Sequence, residues 1–414
     1  PRRMPGFGLE DSFKVLAALG QGGEATTYLA RELKTQQLVA LKVLPRPVPK
    51  VMMSYLNHEI QIQGMLGEGH HNIVDCRKVA LTRSHLVIIM EYAAGGPLTG
   101  HISSRMKIGK DAGAGGKDRL FLSENEACYF FRQAISGIEY LHNHGVAHRD
   151  VKLDNALLDD SVPPLLKISD FGFAKGDAEI NTFTFIGTPV YMAPEIASAR
   201  GNAGYLPKAA DVWSCGVLLF AMLYGKFPFD SEQQDPNSAG LINDIEKQQK
   251  WLCKGAGEGG NHFLGVDMSG ISEDCRDMLH RIFVLDPQER VTTKEIRNHP
   301  WYLKRLPPAY IHSLEGLEER QRVLTNRSKN FFAVHGDWLQ RQQRSLQVML
   351  TTALRDARLD EEIIWVDLRR GAAEAEAEAE QSQGGRESPQ KKFGLEPIPD
   401  GPQRRDSFAS QESP

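Results

Sequence analysis

Cysteine is scarce in this sequence and never paired: Cys76, Cys128, Cys215, Cys253 and Cys275 lie far apart along 414 residues. Such spacing suggests neither a disulfide framework nor a zinc site, and it predicts a reducing compartment, the cytosol or the nucleus. Long apolar runs are lacking as well. The longest, residues 217–223, is far short of the roughly 20 residues that a membrane-spanning helix needs, so no membrane span is expected. The opening residues show no charged-then-apolar signal pattern, and a chain that begins at Pro1 leaves room for residues upstream. Nor does one sign of charge dominate. With 49 basic and 53 acidic residues the formal net charge is -4, too little positive field to track a phosphodiester backbone, which argues against nucleic acid as a partner. What is plentiful is core material. Hydrophobic residues make up 41% and charged residues 25%, the balance of a globular chain with one large two-lobed domain plus extensions.

Short β-type runs dominate the first part of the chain, at residues 14–19, 27–30, 39–44 and 86–90, and predict one twisted antiparallel sheet. One helix, residues 51–66, interrupts them, and Pro45, Pro47 and Pro49 stop the preceding strand from running into it. Beyond the Gly95-Gly96 turn the pattern is helical. Ser123 with Glu126 predicts a capping box, and Ala127, Phe130, Ala134, Ile138 and Leu141 recur behind it at helical spacing. Residues 104–117, rich in Gly, Lys and Ser, read as a mobile surface insertion. After Trp301 the character changes again: residues 316–358 are charged and helix-compatible, residues 372–380 alternate Ala and Glu, and the Gly-, Pro-, Gln- and Ser-rich remainder predicts disorder. The expected organisation is therefore an N-terminal extension (1–12), a main α+β domain (13–303) with a sheet lobe (13–93) and a helical lobe (94–303), a candidate helical regulatory extension (304–371) and a low-complexity tail (372–414).

The segment Gly20-Gln21-Gly22-Gly23-Glu24-Ala25 lies between two strand-like runs, where glycines let backbone amides approach phosphate oxygens with no Cβ in the way. Taken alone, such a cluster is as readily a plain hairpin turn. Lys42 follows in the apolar run Val39-Ala40-Leu41-Lys42, where a buried ammonium is costly unless it meets anions. The bland alternative is a lysine that snorkels to the surface. The functional reading makes Lys42 a ligand of the α- and β-phosphates of a nucleotide, held by Glu59 on the following helix.

The strongest signal is His148-Arg149-Asp150-Val151-Lys152-Leu153-Asp154-Asn155, followed by Asp170-Phe171-Gly172, Ala193-Pro194-Glu195, Asp211-Val212-Trp213-Ser214, and Asp286-Pro287 with Arg290. In that order and spacing these motifs resemble eukaryotic protein kinases, and the resemblance covers roughly residues 13–303. It implies a bilobal kinase fold, with an antiparallel sheet and one main helix in the small lobe and a mostly helical large lobe. It also implies transfer of the γ-phosphate of ATP, with Mg²⁺, to serine or threonine of protein substrates. Phosphoryl transfer depends on positioning and charge stabilisation more than on covalent chemistry. The resemblance assigns the roles accordingly. Asp150 orients the substrate hydroxyl and accepts its proton, Lys152 stabilises charge on the transferring phosphate, and Asn155 and Asp170 hold Mg²⁺. ATP is expected against Leu19, Gly20, Gln21, Gly22, Gly23, Glu24, Ala25, Thr27, Ala40, Lys42, Glu59, Met90, Glu91, Ala93, Leu157 and Asp170. Glu195 with Arg290, and Asp211, are expected to be structural.

Three stretches, residues 90–98, 211–229 and 299–304, are most similar to plant and algal sucrose-non-fermenting-related kinases of the calcium/calmodulin-dependent-like group, with checkpoint kinases as the second choice. That likeness implies stress or nutrient signalling. A pseudokinase scaffold is the rival from another class, and the presence of Lys42, Asp150 and Asp170 argues against it. Two departures from the family pattern stand out: Ala25 and Thr27 replace a usual glycine and valine, and Pro97 takes the place of a glutamate that meets ribose or a basic substrate residue. Asp154 keeps an acidic group nearby, so a preference for arginine upstream of the target is expected. Arg149, expected to be uncompensated beside Asp150, predicts activation by phosphorylation at Thr184 or Thr182, by an upstream kinase or by autophosphorylation in trans. Thr188 is expected to hydrogen-bond Asp150 and Lys152.

Overall fold

The computed structural model describes residues 7–22, 25–111, 120–176, 188–198, 205–229, 262–263, 266–268, 270–334, 336–353 and 363–368, all within one compact unit spanning residues 1–370. Alternating side chains build five strands, β1 (Phe13–Gln21), β2 (Thr26–Glu32), β3 (Leu38–Pro45), β4 (Cys76–Leu81) and β5 (His85–Glu91). They form an antiparallel sheet in the order β1-β2-β3-β5-β4. Because successive residues of a strand face opposite sides, Val39, Leu41, Val43, Val87 and Ile89 join Phe7, Leu9 and Phe13 on one face. Leu44, Leu86 and Ile88 point to the other, against Leu56 and Ile60 of helix α1 (Lys50–Leu66). The same alternation turns Lys42 toward α1. Strand β4 was not anticipated from the sequence.

At the join to the large lobe, Gly96 has φ +70°, and a Cβ on Gly95 would lie 2.7 Å from the Asp159 carbonyl oxygen. Both positions thus require glycine. Short strands follow, β6 (Gly96–Pro97), β7 (Val146–Ala147), β8 (Ala156–Leu158), β9 (Leu166–Ile168), β10 (Lys175–Gly176), β11 (His262–Phe263) and β12 (Val266–Asp267). β6, β8 and β9 pair as one small sheet and β7 with β10 as another, and the loops between them carry the polar motifs. The helices are α2 (Leu98–Asp111), α3 (Glu124–Asn143), α4 (Pro194–Ser198), α5 (Pro207–Tyr224), α6 (Glu273–Ile282), α7 (Thr293–Arg297) and α8 (Pro300–Leu303).

Only half of the expected capping box forms at α3. The Ser123 hydroxyl accepts from the Glu126 amide at 3.2 Å, but the Glu126 carboxylate faces His101 at 3.1 Å and Arg105 at 3.2 Å instead. The residues expected to recur at helical spacing, Ala127 to Leu141, are all buried. The expected insertion at 104–117 begins as helix, since α2 runs to Asp111, and residues 112–117 lie outside the described residues. Helix α5 is buried along nearly its whole length. Four described cysteines, Cys76, Cys128, Cys215 and Cys275, are free and buried. No described helix is long and apolar enough to cross a membrane.

Beyond α8 the chain forms two long helices, α9 (Pro308–Val334) and α10 (Gly336–Ala353), and a final strand β13 (Ile364–Asp367). Tyr310 of α9 stacks on Tyr129 of α3, with centroids 4.6 Å apart. The Gln321 amide donates to the Gly69 carbonyl at 2.8 Å and accepts from the His71 amide at 3.3 Å. Helix α10 packs on α1. Leu346, Met349, Leu350 and Ala353 share an apolar cluster with Leu56, Ile60, Val79, Leu81 and Ile88. Its last turn is received by the β3–α1 connection, where the Val48 amide and the Arg46 guanidinium donate to the carbonyls of Ala353 and Thr352. Strand β13 then adds antiparallel to β4 as the sixth strand of the sheet.

Candidate active site

Backbone register places the first group of polar residues. Gly20 of β1 pairs with Thr27 of β2, and Thr27 with Lys42 of β3, so these three share one row across the sheet. The apolar stripe of α1, carrying Leu56, Ile60 and Gln63, brings Glu59 to the same side. Lys42 Nζ donates to Glu59 Oε1 at 2.5 Å and lies 3.6 Å from Asp170 Oδ1. Burial disfavours the Lys42 charge, but the Glu59 and Asp170 carboxylates outweigh it and raise its pKa above the usual lysine range. Burial works to raise the Asp170 pKa, yet the charges of Lys42, then His148 and Lys152, hold it below the usual carboxylate range. Asp170 has a left-handed backbone, φ 64°. Beside it Phe171 is fully buried and meets the His148 ring edge-on at 5.0 Å. Tyr55, on the turn of α1 before Glu59, contacts Phe173 at 5.8 Å.

The second group lies on the loop after β7. Asp150 is 4% exposed and receives three side chains: Lys152 Nζ at 2.6 Å and Asn155 Nδ2 at 2.9 Å on Oδ2, and the Thr188 hydroxyl at 3.3 Å on Oδ1. Lys152 also donates to Thr188 Oγ1 at 3.0 Å, so Thr188 bonds both partners as expected. The loop is fixed from below by Asp211 of α5. Its carboxylate accepts the His148 amide at 2.8 Å and the Arg149 amide at 2.7 Å, and it lies 2.9 Å from His142 Nε2. Arg290 and Glu195 form a two-pronged ion pair at 2.7 and 2.9 Å, with the guanidinium 5.0 Å above the Trp213 ring.

The remaining expected nucleotide contacts lie on β1, β3 and β5, just after β5, and on β8. Leu19 and Gln21 are exposed at the end of β1, and Gly22 donates to the Ala25 carbonyl at 2.8 Å, closing a turn. A Cβ on Gly20 would meet nothing within 4 Å. Gly23 and Glu24 lie outside the described residues. Ala40 pairs with Met90 across β3 and β5. The Glu91 side chain turns away to Lys167 Nζ at 2.8 Å, while its amide donates to the Asp75 carbonyl at 2.9 Å. The Ala93 carbonyl accepts from Gly96 at 3.2 Å, and Leu157 of β8 pairs with Pro97 just beyond.

Arg149 is buried and hydrogen-bonded: Nε donates to the Tyr205 hydroxyl at 2.8 Å, NH1 donates to the Phe173 carbonyl at 3.4 Å, and its guanidinium lies over the Tyr205 ring. Tyr205, 56 positions away, gives no local sequence signal. Thr182 and Thr184 lie outside the described residues. The sequence reading also passed over Gln63, a buried polar side chain one turn after Glu59 on an otherwise apolar face.

A sheet-and-helix lobe over a helical lobe, with a lysine–glutamate pair above an aspartate–lysine–asparagine loop, defines the class of the phosphotransferases acting on proteins. Residues 13–302 match the family described as "Protein kinase domain", and the chain belongs to that family. It is 37% identical over 301 residues to serine/threonine-protein kinase SAPK2 of Oryza sativa subsp. indica, a match covering 72% of this chain and 78% of the relative. It is 38% identical over 315 residues to SAPK1 of Oryza sativa subsp. japonica, covering 76% and 80%, and 38% identical over 309 residues to SRK2G of Arabidopsis thaliana, covering 74% and 77%. The chain is a serine/threonine protein kinase.

Proposed function

We propose that Asp150 aligns the substrate hydroxyl and accepts its proton, with Lys152 stabilising the transferring phosphoryl group. The observation that carries this reading is the meeting of Lys152, Asn155 and Thr188 on one buried carboxylate. Lys42, fixed by Glu59, anchors the α- and β-phosphates of ATP. The family works with ATP and Mg²⁺, and the donor set fits a magnesium ion. Asp170 and Asn155 offer hard oxygen donors, and Mg²⁺ characteristically takes one or two such protein ligands beside substrate phosphates. When bound, the ion neutralises phosphate charge. The Gly20–Ala25 turn, Thr27, Ala40, Met90, Glu91, Ala93 and Leu157 are read as the nucleotide pocket, and Glu195, Arg290 and Asp211 as its supports.

The partners are proteins presenting serine or threonine, and nucleic acid is no part of this reading. Likeness to the sucrose-non-fermenting-related kinases supports reading the chain as a member of the calcium/calmodulin-dependent-like group that works in stress or nutrient signalling in the cytosol or nucleus. The exposed Asp154 carboxylate accepts from Thr99 at 2.9 Å beside the catalytic loop, and it supports a preference for arginine three residues before the target. A peptide scan should show arginine there raising kcat/KM severalfold, an effect lost in Asp154→Ala; no preference for basic residues in the wild type would remove the idea.

Thr184, and next Thr182, are the proposed activating sites. Phosphate there brings about -1.5 to -2 charges and three acceptor oxygens, enough to order a segment. Phosphatase treatment is expected to lower activity, and Thr184→Ala to match it; unchanged activity in both would remove the switch. Residues 304–371 are read as a regulatory extension acting through α10 on α1.

A further inference from the structure

Two of the described segments carry arginine three residues before serine or threonine, the spacing that the arginine preference proposed above would select. In one, Arg290 and Thr293 are both buried, and the guanidinium is committed to Glu195. In the other, Arg322 and Thr325 stand exposed on α9. Arg322 meets Glu319 at 2.8 Å, but both side chains are more than half exposed, so parting them costs little. The same spacing at Arg404 and Ser407 lies outside the described residues.

Thr325 is tied to the residue by which α9 holds the connection between α1 and β4. Its hydroxyl donates to the Gln321 carbonyl at 2.9 Å and lies 3.5 Å from Gln321 Nε2. Gln321 in turn reaches the connection twice, with Nε2 donating to the Gly69 carbonyl at 2.8 Å and Oε1 accepting from the His71 amide at 3.3 Å. A phosphate on Thr325 would remove the hydroxyl proton that now bonds the Gln321 carbonyl. It would also set about -1.5 to -2 charges and three acceptor oxygens beside Gln321 Nε2. A hydrogen bond to an ionised acceptor is roughly twice as strong as one to a neutral carbonyl, so the phosphate competes with Gly69 for that donor.

We propose that Thr325 is an autophosphorylation site, selected through Arg322, and that phosphate there loosens the grip of Gln321 on the α1–β4 connection. The inference rests on the kinase reading and the arginine preference given above. In the transfer, Thr325 Oγ1 forms a bond to the γ-phosphorus of ATP while the bond from that phosphorus to the β,γ-bridging oxygen breaks. ADP leaves, and the hydroxyl proton passes to Asp150. Helix α9 is tied ahead of Thr325 by the Tyr310–Tyr129 stack and behind it by the packing of α10 on α1, so the phosphate comes from a second copy of the chain. The turn holding Arg322, Val323 and Thr325 is exposed, and such a turn opens locally at low cost to enter that copy's cleft.

Incubated with Mg²⁺ and ATP and then mapped by phosphopeptide mass spectrometry, the wild-type chain should carry phosphate at Thr325. The Asp150→Asn chain should gain it only when mixed with wild type. Arg322→Ala should lower the rate at Thr325 severalfold while phosphorylation of a separate peptide stays unchanged. The His71 amide should exchange hydrogen severalfold faster in the phosphorylated chain than after phosphatase treatment, and a Thr325→Val chain treated alike should show no such difference. Peptide phosphorylation with Thr325 left bare, phosphate confined to Ser407 or other sites, an undiminished rate in Arg322→Ala, or unchanged exchange at His71 would each overturn the proposal. A wild-type chain that phosphorylates neither itself nor any peptide would overturn the kinase reading, and this inference with it.

Discussion

Asp150→Asn is expected to lower kcat by about 10²- to 10⁴-fold, the range for loss of a positioned proton acceptor, while leaving the fold intact. The carboxylate is the common partner of Lys152, Asn155 and Thr188. An amide of the same shape still fills the space but loses the charge that holds Lys152 and cannot take a proton from the substrate. Lys42→Met should fall by a comparable factor for a different reason: Glu59 would be left buried without its cation, and the phosphates without their anchor. Steady-state phosphate transfer to a peptide, with thermal midpoints measured alongside, checks both variants. Near-normal turnover in Asp150→Asn would remove it as the proton acceptor.

Removal of residues 336–370 is expected to strike stability and activity together. Leu346, Met349 and Leu350 are at most 2% exposed, as is Val366 of β13, and full burial of such side chains contributes about 1.5–3 kcal/mol each. Their loss also bares the faces of Leu56, Ile60 and Val79 that they cover. A fall in Tm on the order of 10 °C should follow. Activity should drop as well, because the uncovered helix is the one that presents Glu59 to Lys42. Leu350→Ala isolates the packing contribution and should cost about 2–5 kcal/mol. Denaturant unfolding and kinase assays of both variants test this, and a truncated chain with wild-type kcat would show that α10 does not steady α1.

The site was legible in the sequence wherever chemistry sits in contiguous motifs. Lys42 stood out as a charge inside an apolar strand, whereas Asp150, Asn155 and Asp170 were picked out by motifs that resemble those of protein kinases. Strands β1, β2, β3 and β5 were legible through their alternation, whereas β4 begins Cys76-Arg77-Lys78 and breaks that pattern before its buried half. β13 is only 4 residues long and pairs with a strand from the opposite end of the chain, a contact no local pattern can signal. The half-formed cap at α3 shows the same limit, since His101 and Arg105 compete for Glu126 from α2. Tyr205 reaches Arg149 only through the tertiary fold, so its hydrogen bond had no local signal.

The central claim, phosphate transfer to serine and threonine of proteins, is tested most directly by incubating the purified chain with γ-labelled ATP, Mg²⁺ and a degenerate peptide library, then identifying the labelled residues. The account predicts label on phosphoserine and phosphothreonine, little or none on phosphotyrosine, and its loss in Asp150→Asn. A folded, phosphorylated wild-type protein that leaves every peptide unlabelled, or that labels tyrosine, would contradict it.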